Sequence, residues 1–436
     1  MLRILSASST PQLPQLSQLN GHASSLEKRI WVLLGFPMTY GIFQEYYTTH
    51  WTFKGNPSAA GVIGTTSNGV IYLSMPLLFA ALSRRWAHHR RASAYAGLVL
   101  TSISYLLSSW STAAWQLVLT QGVLAALGSA LLYSPTTLTL SESYATHNRA
   151  VALAVVLSAK NITGSVCPFL INYLLSHHGF RTTMRIWAGL SGALALAAVF
   201  LMPMGSTTQT RPFRARKIPW TFLTHRTFWI YVVAIALQSS GYGLPQTYLN
   251  TYAHDVAHAS AATSTLLITL FNAPGILSSS LFGLLSDNKH VRLSASTVVA
   301  ISAFASGLSA FLLWGIAGSG SHSMALLILF SIIYGCFAGA YSATWGGVLK
   351  EMEKEAGERN EAIDSGMVYG LFNGARGVGF VSGGLVGVQL VKVGGEHVLG
   401  KFGYGTIYGP LIVYVGLSTC MGGWSVFLKM GRLFRW

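Results

Sequence analysis

The sequence predicts an all-α membrane protein in which twelve transmembrane helices form two six-helix pseudo-repeats. Three observations lead to this fold class. About a dozen apolar stretches follow one another between Ile30 and Lys429, charged residues make up only 9% of the chain, and similar segments recur at an offset of about 200 residues. A helix needs about 20 apolar residues to cross the hydrocarbon of a bilayer, whereas soluble domains contain about 25% charged residues. A soluble fold is therefore excluded.

Each apolar stretch has the length of one membrane span. The predicted spans are 30–49, 58–82, 92–109, 114–140, 150–175, 182–203, 227–251, 260–285, 294–317, 323–347, 363–391 and 405–429. Residues 1–29 are rich in Ser, Gln, Leu and Pro and predict a disordered cytoplasmic tail. The spans divide into an N-terminal half at 30–203 and a C-terminal half at 227–429. A cytoplasmic linker at 204–226 joins the halves, and a short cytoplasmic tail follows at 430–436.

The basic residues predict the topology. Of the 28 Lys and Arg, 21 fall on one side of the predicted spans, including the run Arg84, Arg85, Arg90 and Arg91, and four fall on the other side. Because Lys and Arg accumulate in cytoplasmic loops, both termini are predicted to be cytoplasmic. The net charge of +16 is thereby accounted for, and no nucleic-acid partner is expected. We expect a multi-pass protein of the plasma membrane that contacts lipid and functions as a monomer.

Internal repeats support the two halves. The segment YGIFQEY, which begins at Tyr40, and the segment YGLPQTY, which begins at Tyr242, share four of seven positions at an offset of 202. LFAALSR and LFGLLSD follow at the ends of spans two and eight, and YSPT at Tyr133 matches YSAT at Tyr341. Parallel six-helix halves of this kind rock around a central site in major facilitator transporters.

Two cationic residues lie in the middle of predicted spans, where burying a charge costs the most free energy. Lys160 is midway along the fifth span and Arg376 is in the middle of the eleventh. A charge at membrane depth costs several kcal/mol and usually faces the bundle interior or a water-filled cavity. Two such cations in repeat-equivalent helices favour an anionic or electron-rich solute, with Arg suited to a bidentate grip. The alternative is that helix-end carbonyls or neighbouring Asn side chains satisfy them.

Other polar residues within the spans complete the predicted substrate cavity. Helical spacing places the members of two Tyr/Gln pairs on one face each. The candidates are Tyr40, Gln44, Tyr133, Asn161, Tyr242, Gln246, Asn272 and Asn373. Any of them can instead bridge two helices. Glu45, in the first span, is a candidate proton site, although its place near the outer end also suits a rim position.

Enzymatic chemistry is not expected. The sequence contains no Walker loop, no Ser/His/Asp arrangement in its loops and no metal-ligand spacing, so neither a cofactor nor a metal is predicted. Its three cysteines all fall in predicted spans and read as small buried hydrophobes.

The motifs resemble those of a known family. GLLSDNKHVR, which begins at Gly283, resembles the loop signature of the major facilitator superfamily. FPMTYGIFQEYY from Phe36, GFRTTMRIWA from Gly179 and the Asn373/Arg376 segment resemble the monocarboxylate-transporter-like branch, especially its fungal members. The resemblance implies the superfamily's twelve-helix fold and solute transport. It also implies that Asp287 closes the cytoplasmic side, with Arg149 as its partner by symmetry.

The resemblance also shows departures. Lactate carriers of this branch have a lysine at the position of Met38. They also use an Asp–Arg pair in helix eight, whereas residues 260–285 of this chain carry no charge. In the loop of the first half, Arg84 stands where the superfamily signature has an Asp. We therefore predict a secondary transporter of a small organic anion or specialised metabolite, including efflux as a direction. The alternatives are a proton-coupled monocarboxylate importer and, from another class, a non-transporting membrane sensor.

Overall fold

The computed structural model describes residues 35–50, 57–83, 86–143, 149–200, 219–287, 293–396 and 400–426. Every regular element in these ranges is helical. The predicted cytoplasmic tails, and most of the predicted linker, lie outside them.

The N-terminal half contains helices α1 to α6. They are α1 (Gly35–His50), α2 (Pro57–Leu82), α3 (Arg90–Ser108), α4 (Ala114–Leu117, continued by the π-helical Val118–Leu124 and by Ala125–Ser143), and α5 and α6, the two parts of Arg149–Phe200. Gly179, with φ 70° and ψ 173°, separates α5 from α6. That φ lies in the region that glycine adopts without steric cost, so the chain turns between two spans at a single residue.

The C-terminal half contains helices α7 to α12. They are α7 (Arg226–Asp255), α8 (Ala261–Asp287), α9 (Ala295–Ser309, continued by the π-helical Ala310–Trp314), α10 (Ser323–Ala340, continued by the 3-10 turn Tyr341–Thr344 and by Trp345–Glu358), α11 (Ser365–Glu396) and α12 (Gly409–Met421). The order and approximate bounds of the twelve helices follow the predicted spans.

Six of the described helical segments are long and apolar enough to cross a membrane. They are Ala60–Leu82, Ala114–Leu138, Ala261–Ser286, Ala295–Trp314, Ser323–Glu358 and Ser365–Glu396. Helix α7 is less apolar because buried polar side chains interrupt it, among them Gln238, Gln246 and Asn250.

Two helix ends differ from the prediction. Helix α10 continues past the predicted end at 347 to Glu358, because the extension buries Val348, Leu349 and Met352 on one face. Its other face is charged, and an i,i+4 contact of 3.9 Å joins Lys354 to Glu358. Helix α12 begins at Gly409 rather than at the predicted 405, because residues 402–405 form a separate 3-10 turn and Pro410 stands at the helix start; the predicted end at 429 lies outside the described residues.

Small residues let α11 pack closely against helices of both halves. A Cβ added at Gly374 would lie 2.6 Å from Cγ of Pro76 in α2, and one added at Gly377 would lie 2.6 Å from the backbone N of Leu73. On another side of α11, a Cβ at Gly383 would clash with the Ser240 carbonyl of α7. Close approach through glycine is typical of membrane helices. Helix α11 thus joins α2 to α7 and places its own side chains between the two halves.

Candidate functional site

Arg376 lies in the middle of α11 and is surrounded by aromatic rings. Its side chain is only 5% exposed. Its Cζ atom lies 4.9 Å from the ring centroid of Tyr72 in α2, 5.5 Å from Tyr242 in α7, 5.5 Å from Phe380 in α11 and 5.8 Å from Trp345 in α10. We call these four rings the aromatic box. A guanidinium over a ring face gains about 0.5–2 kcal/mol from cation–π attraction, so the box partly offsets the cost of burying Arg376.

Lys160 approaches the same box from α5. Its side chain is 1% exposed, and its Nζ atom lies 5.8 Å from the ring centroid of Tyr242. Within the described part of the chain, neither Lys160 Nζ nor Arg376 Nε has a hydrogen-bond partner. The two side chains are also close enough for their positive charges to repel each other. Two buried cations, one from each half, therefore share one tyrosine.

Among the described residues, no carboxylate balances the charge of this region. Neither cation forms an ion pair with a described acidic side chain. In the surrounding helices, acidic residues occur only towards one end of each helix. They start at Asp255 in α7, Glu351 in α10 and Glu396 in α11. A buried cation without a partner is strongly unfavourable. The arrangement is consequently suited to an anion that approaches both groups.

Tyr133 and Asn373 lie beside the box and are linked to it through Tyr369. The side chains of Tyr133 and Tyr369 lie close to each other, and Asn373 Nδ2 donates to the Tyr369 carbonyl oxygen at 2.8 Å. The Tyr369 ring centroid is 5.8 Å from that of Trp345. The predicted residues Tyr133 and Asn373 therefore lie beside the aromatic box, and the Asn373 amide is bonded to the backbone of Tyr369.

The repeated Tyr/Gln pairs occupy different environments in the two halves. Tyr242 belongs to the aromatic box, and Gln246 Nε2 donates to its hydroxyl at 3.5 Å. Tyr40 instead donates to the Ala60 carbonyl oxygen, and its ring packs where a Cβ of Gly64 would lie. Gln44 is fully buried, with both amide atoms lacking a partner among the residues described. The structure thus brings only the second pair to the cations.

Asn161 and Asn272 lie in the contact between α5 and α8. Asn161 Nδ2 donates to Ser279 Oγ at 3.2 Å, and Asn272 Nδ2 donates to the Gly164 carbonyl oxygen at 3.3 Å. Each amide fills the space that a Cβ would need at the facing glycine, Asn161 at Gly275 and Asn272 at Gly164. These contacts correspond to the bridging alternative that the sequence left open.

The other predicted functional residues lie away from the box. Glu45, near the end of α1, accepts a hydrogen bond from Asn250 Nδ2 of α7, and His254 and Asp255 are near it. This contact joins the two halves at a helix end. The predicted gate residues Arg149 and Asp287 stand at the start of α5 and the end of α8, and their side chains are outside the described part of the structure.

Three members of the aromatic box were not predicted from the sequence: Tyr72, Trp345 and Phe380. Aromatic residues in apolar helices usually belong to the core, so their identity alone carries no signal. A weaker signal was available on α11, because Tyr369, Asn373, Arg376 and Phe380 follow one another at spacings of three and four residues and share a helix face.

Comparison with known proteins establishes the family. The sequence model of the Major Facilitator Superfamily matches residues 32–306. This chain belongs to the major facilitator superfamily. The predicted fold class, the family resemblance and the role as a secondary transporter of small solutes are thereby confirmed. A transporter, not an enzyme, is what the family and its relatives indicate.

Relatives in this superfamily include fungal and mammalian proteins. An MFS-type transporter of Gibberella moniliformis is 26% identical over 401 residues, which cover 90% of this chain and 87% of the relative. Monocarboxylate transporter 13 of Rattus norvegicus is 31% identical over 166 residues, 37% of this chain and 36% of the relative. The alignment with this monocarboxylate transporter thus covers about a third of each chain, and monocarboxylate transporter 6 of Homo sapiens aligns over 58% of this chain and 53% of its own at 24% identity.

Solved structures of two other transporters share the fold. A POT family transporter in complex with 5-aminolevulinic acid superposes with a TM-score of 0.73 at 14% identity and covers 95% of this chain and 97% of its own. A nucleoside transporter gives a TM-score of 0.67 at 16% identity, covering 94% and 99%. At these identities the likeness extends to the fold alone. Membership in the superfamily, together with the apolar helices, makes this chain a multi-pass integral membrane protein.

Proposed function

We propose that this major facilitator carries an organic anion or an anionic specialised metabolite by alternating access, with Lys160 and Arg376 binding its acidic group. One observation carries the proposal: two buried cations from opposite halves meet at Tyr242, and neither has a carboxylate partner among the described residues. A neutral solute leaves this charge uncompensated. An anion removes that penalty and adds charge-assisted hydrogen bonds to the guanidinium.

The proposed orientation and setting follow from the sequence. The excess of Lys and Arg on one side supports cytoplasmic termini. We propose that the protein is a plasma-membrane carrier that works as a monomer and moves its metabolite by export or by import. Tyr133, Asn373, Tyr242 and Gln246 lie around the cations and are proposed to contact the bound solute or to hold the groups that do.

The runner-up is proton-coupled import of a monocarboxylate. Two observations favour it: relatives that include monocarboxylate transporters 13 and 6, and Glu45, a carboxylate at the contact between α1 and α7. In that case Glu45 is the proton site and protons are the coupling ion. The departures at Met38 and in 260–285 weigh against this candidate.

Two measurements test the proposal. Untargeted metabolite comparison of medium and cells from deletion and wild-type strains identifies the cargo, which we expect to be anionic. Flux of that cargo in vesicles, with and without a pH gradient, then separates the two candidates. Flux that is independent of the gradient excludes the runner-up, and a cargo that is neutral or cationic overturns the main proposal.

A further inference from the structure

The aromatic box contains a ring pair that is shared by the two halves. Tyr72 of α2 and Phe380 of α11 stack with ring centroids 5.4 Å apart and an interplanar angle of 8°. Tyr242 meets Phe380 edge to face at 6.3 Å and 68°. The three rings are 1–4% exposed. A parallel stack between helices of opposite halves is therefore part of the surroundings of both cations.

The box offers two kinds of contact to a solute. The cations supply hydrogen-bond donors to an acidic group, and the ring faces supply flat apolar surface. Aromatic pairs in stacked or edge-to-face geometry are stabilised beyond their buried area. A saturated anion of equal size uses the donors but lacks a π-face to stack on the rings. A planar aromatic anion uses both.

The position of the stack adds a geometric argument. Tyr72 and Phe380 belong to helices that approach closely through glycine, with the backbone of α2 at residue 73 against Gly377. In alternating access the two halves move relative to each other, and we expect Tyr72 and Phe380, which opposite halves carry, to separate when the contact between α2 and α11 opens. A flat ring that enters this separation replaces the lost stacking partner of each.

Resting on the proposed function, we propose that the cargo is an organic anion with a planar aromatic ring, which stacks between Tyr72 and Phe380 while its acidic group contacts Arg376 and Lys160. Tyr72 and Phe380 are then specificity-determining residues. They select flat conjugated anions over aliphatic ones of the same charge and size.

Matched ligand pairs test this inference on the purified full-length protein. The probes are benzoate against cyclohexanecarboxylate, and 2-naphthoate against decahydro-2-naphthoate, with binding measured as the concentration dependence of thermal stabilisation. We expect the aromatic member to bind about three- to tenfold more tightly than its saturated partner. Equal binding within a pair overturns the inference, as does the failure of every aromatic probe to bind.

Variants locate the selectivity. Tyr72→Leu and Phe380→Leu are expected to abolish the aromatic preference, and Tyr72→Phe, which keeps the ring, is expected to retain it. Retention of the preference in both Leu variants overturns the role of the stack. Because the wild-type comparison needs no variant, poor folding of a Leu protein leaves the test intact.

The outcomes also separate this inference from the proposed function. If Arg376→Ala abolishes binding of aromatic and saturated anions alike and the wild type shows no preference, anion transport stands and the aromatic inference fails. If the cargo found in the strain comparison is not an anion, the proposed function fails as well.

Discussion

Lys160 and Arg376 face the same ring from opposite halves of the protein. Lys160 Nζ lies 5.8 Å from the ring centroid of Tyr242, and Arg376 Cζ lies 5.5 Å from it. Tyr242 thus stands beside both cations, one carried by α5 and the other by α11. An anion bound beside Tyr242 contacts both halves at once, which is what a carrier needs to couple occupancy to closure.

Arg376→Ala is expected to lower transport of the cargo at least about tenfold while leaving membrane insertion intact. The variant removes the guanidinium that binds the acidic group, and a charged hydrogen bond of this kind is worth about 1.5–3 kcal/mol. Flux in vesicles and surface labelling provide the measurements. Arg185→Ala is a matched control, because the Arg185 Cζ atom also lies over a ring, 5.6 Å from the ring centroid of Trp110, on a helix that contributes no residue to the aromatic box. Normal flux in Arg376→Ala would refute the role in binding.

Lys160→Met is expected to change the charge preference of the carrier. Methionine keeps the length and the apolar stem of the side chain but removes the ammonium group. Binding of a monoanion is therefore expected to strengthen relative to binding of a dianion. Competition between mono- and dianionic forms of one scaffold measures this ratio, and Lys160→Arg serves as the charge-conserving control. An unchanged ratio assigns Lys160 a structural role only.

Gly164→Ala is expected to destabilise the contact between α5 and α8. An added Cβ would lie 2.6 Å from Cγ of Asn272, whose amide bonds to the Gly164 carbonyl. Overpacking of this kind costs about 1–3 kcal/mol. Thermal unfolding in detergent measures the loss. Gly339→Ala is the control, since its nearest new contact is 3.9 Å away. Equal stability of the two variants contradicts the prediction.

Glu45→Gln and Glu45→Ala separate a rim contact from a proton site. Glutamine keeps an oxygen that accepts the Asn250 hydrogen bond, so for a rim contact we expect flux within about twofold of wild type and an unchanged pH profile. Alanine removes the acceptor and is expected to weaken the contact between α1 and α7. A pH profile that flattens in Glu45→Gln shows instead that this carboxylate titrates during transport.

The fold was predictable from the sequence because each membrane span requires a long run of apolar residues, which is visible in the sequence itself. A run of about 20 apolar residues is seldom anything other than a transmembrane helix. The break at Gly179 lies between two of the predicted spans, 150–175 and 182–203. The extension of α10 to Glu358 was missed, because a charged amphipathic segment carries no membrane signal even when it continues a helix.

The candidate site was predictable only in its charges. Lys160 and Arg376 stand out because cations are rare in apolar helices, whereas Tyr72 and Trp345 look like ordinary core residues. The sequence repeat suggested that Tyr40 and Tyr242 are equivalent. Their environments differ because Tyr40 bonds to Ala60 of α2 while Tyr242 meets the cations. Which helix packs against a side chain is a tertiary property that the repeat does not encode.

The long α10 has a mechanical consequence. Trp345 belongs to the aromatic box, and the same helix continues without interruption to Glu358, about 20 Å farther at 1.5 Å per residue. A tilt of about 10° at the box would displace the far end by about 3–4 Å over that length. A tilt of the helix at Trp345 would therefore produce a larger displacement at the exposed end of the extension. A fluorophore attached at the exposed Lys354 is expected to report any such tilt on cargo binding as an optical signal, while Lys160, Arg376 and the aromatic box stay unaltered.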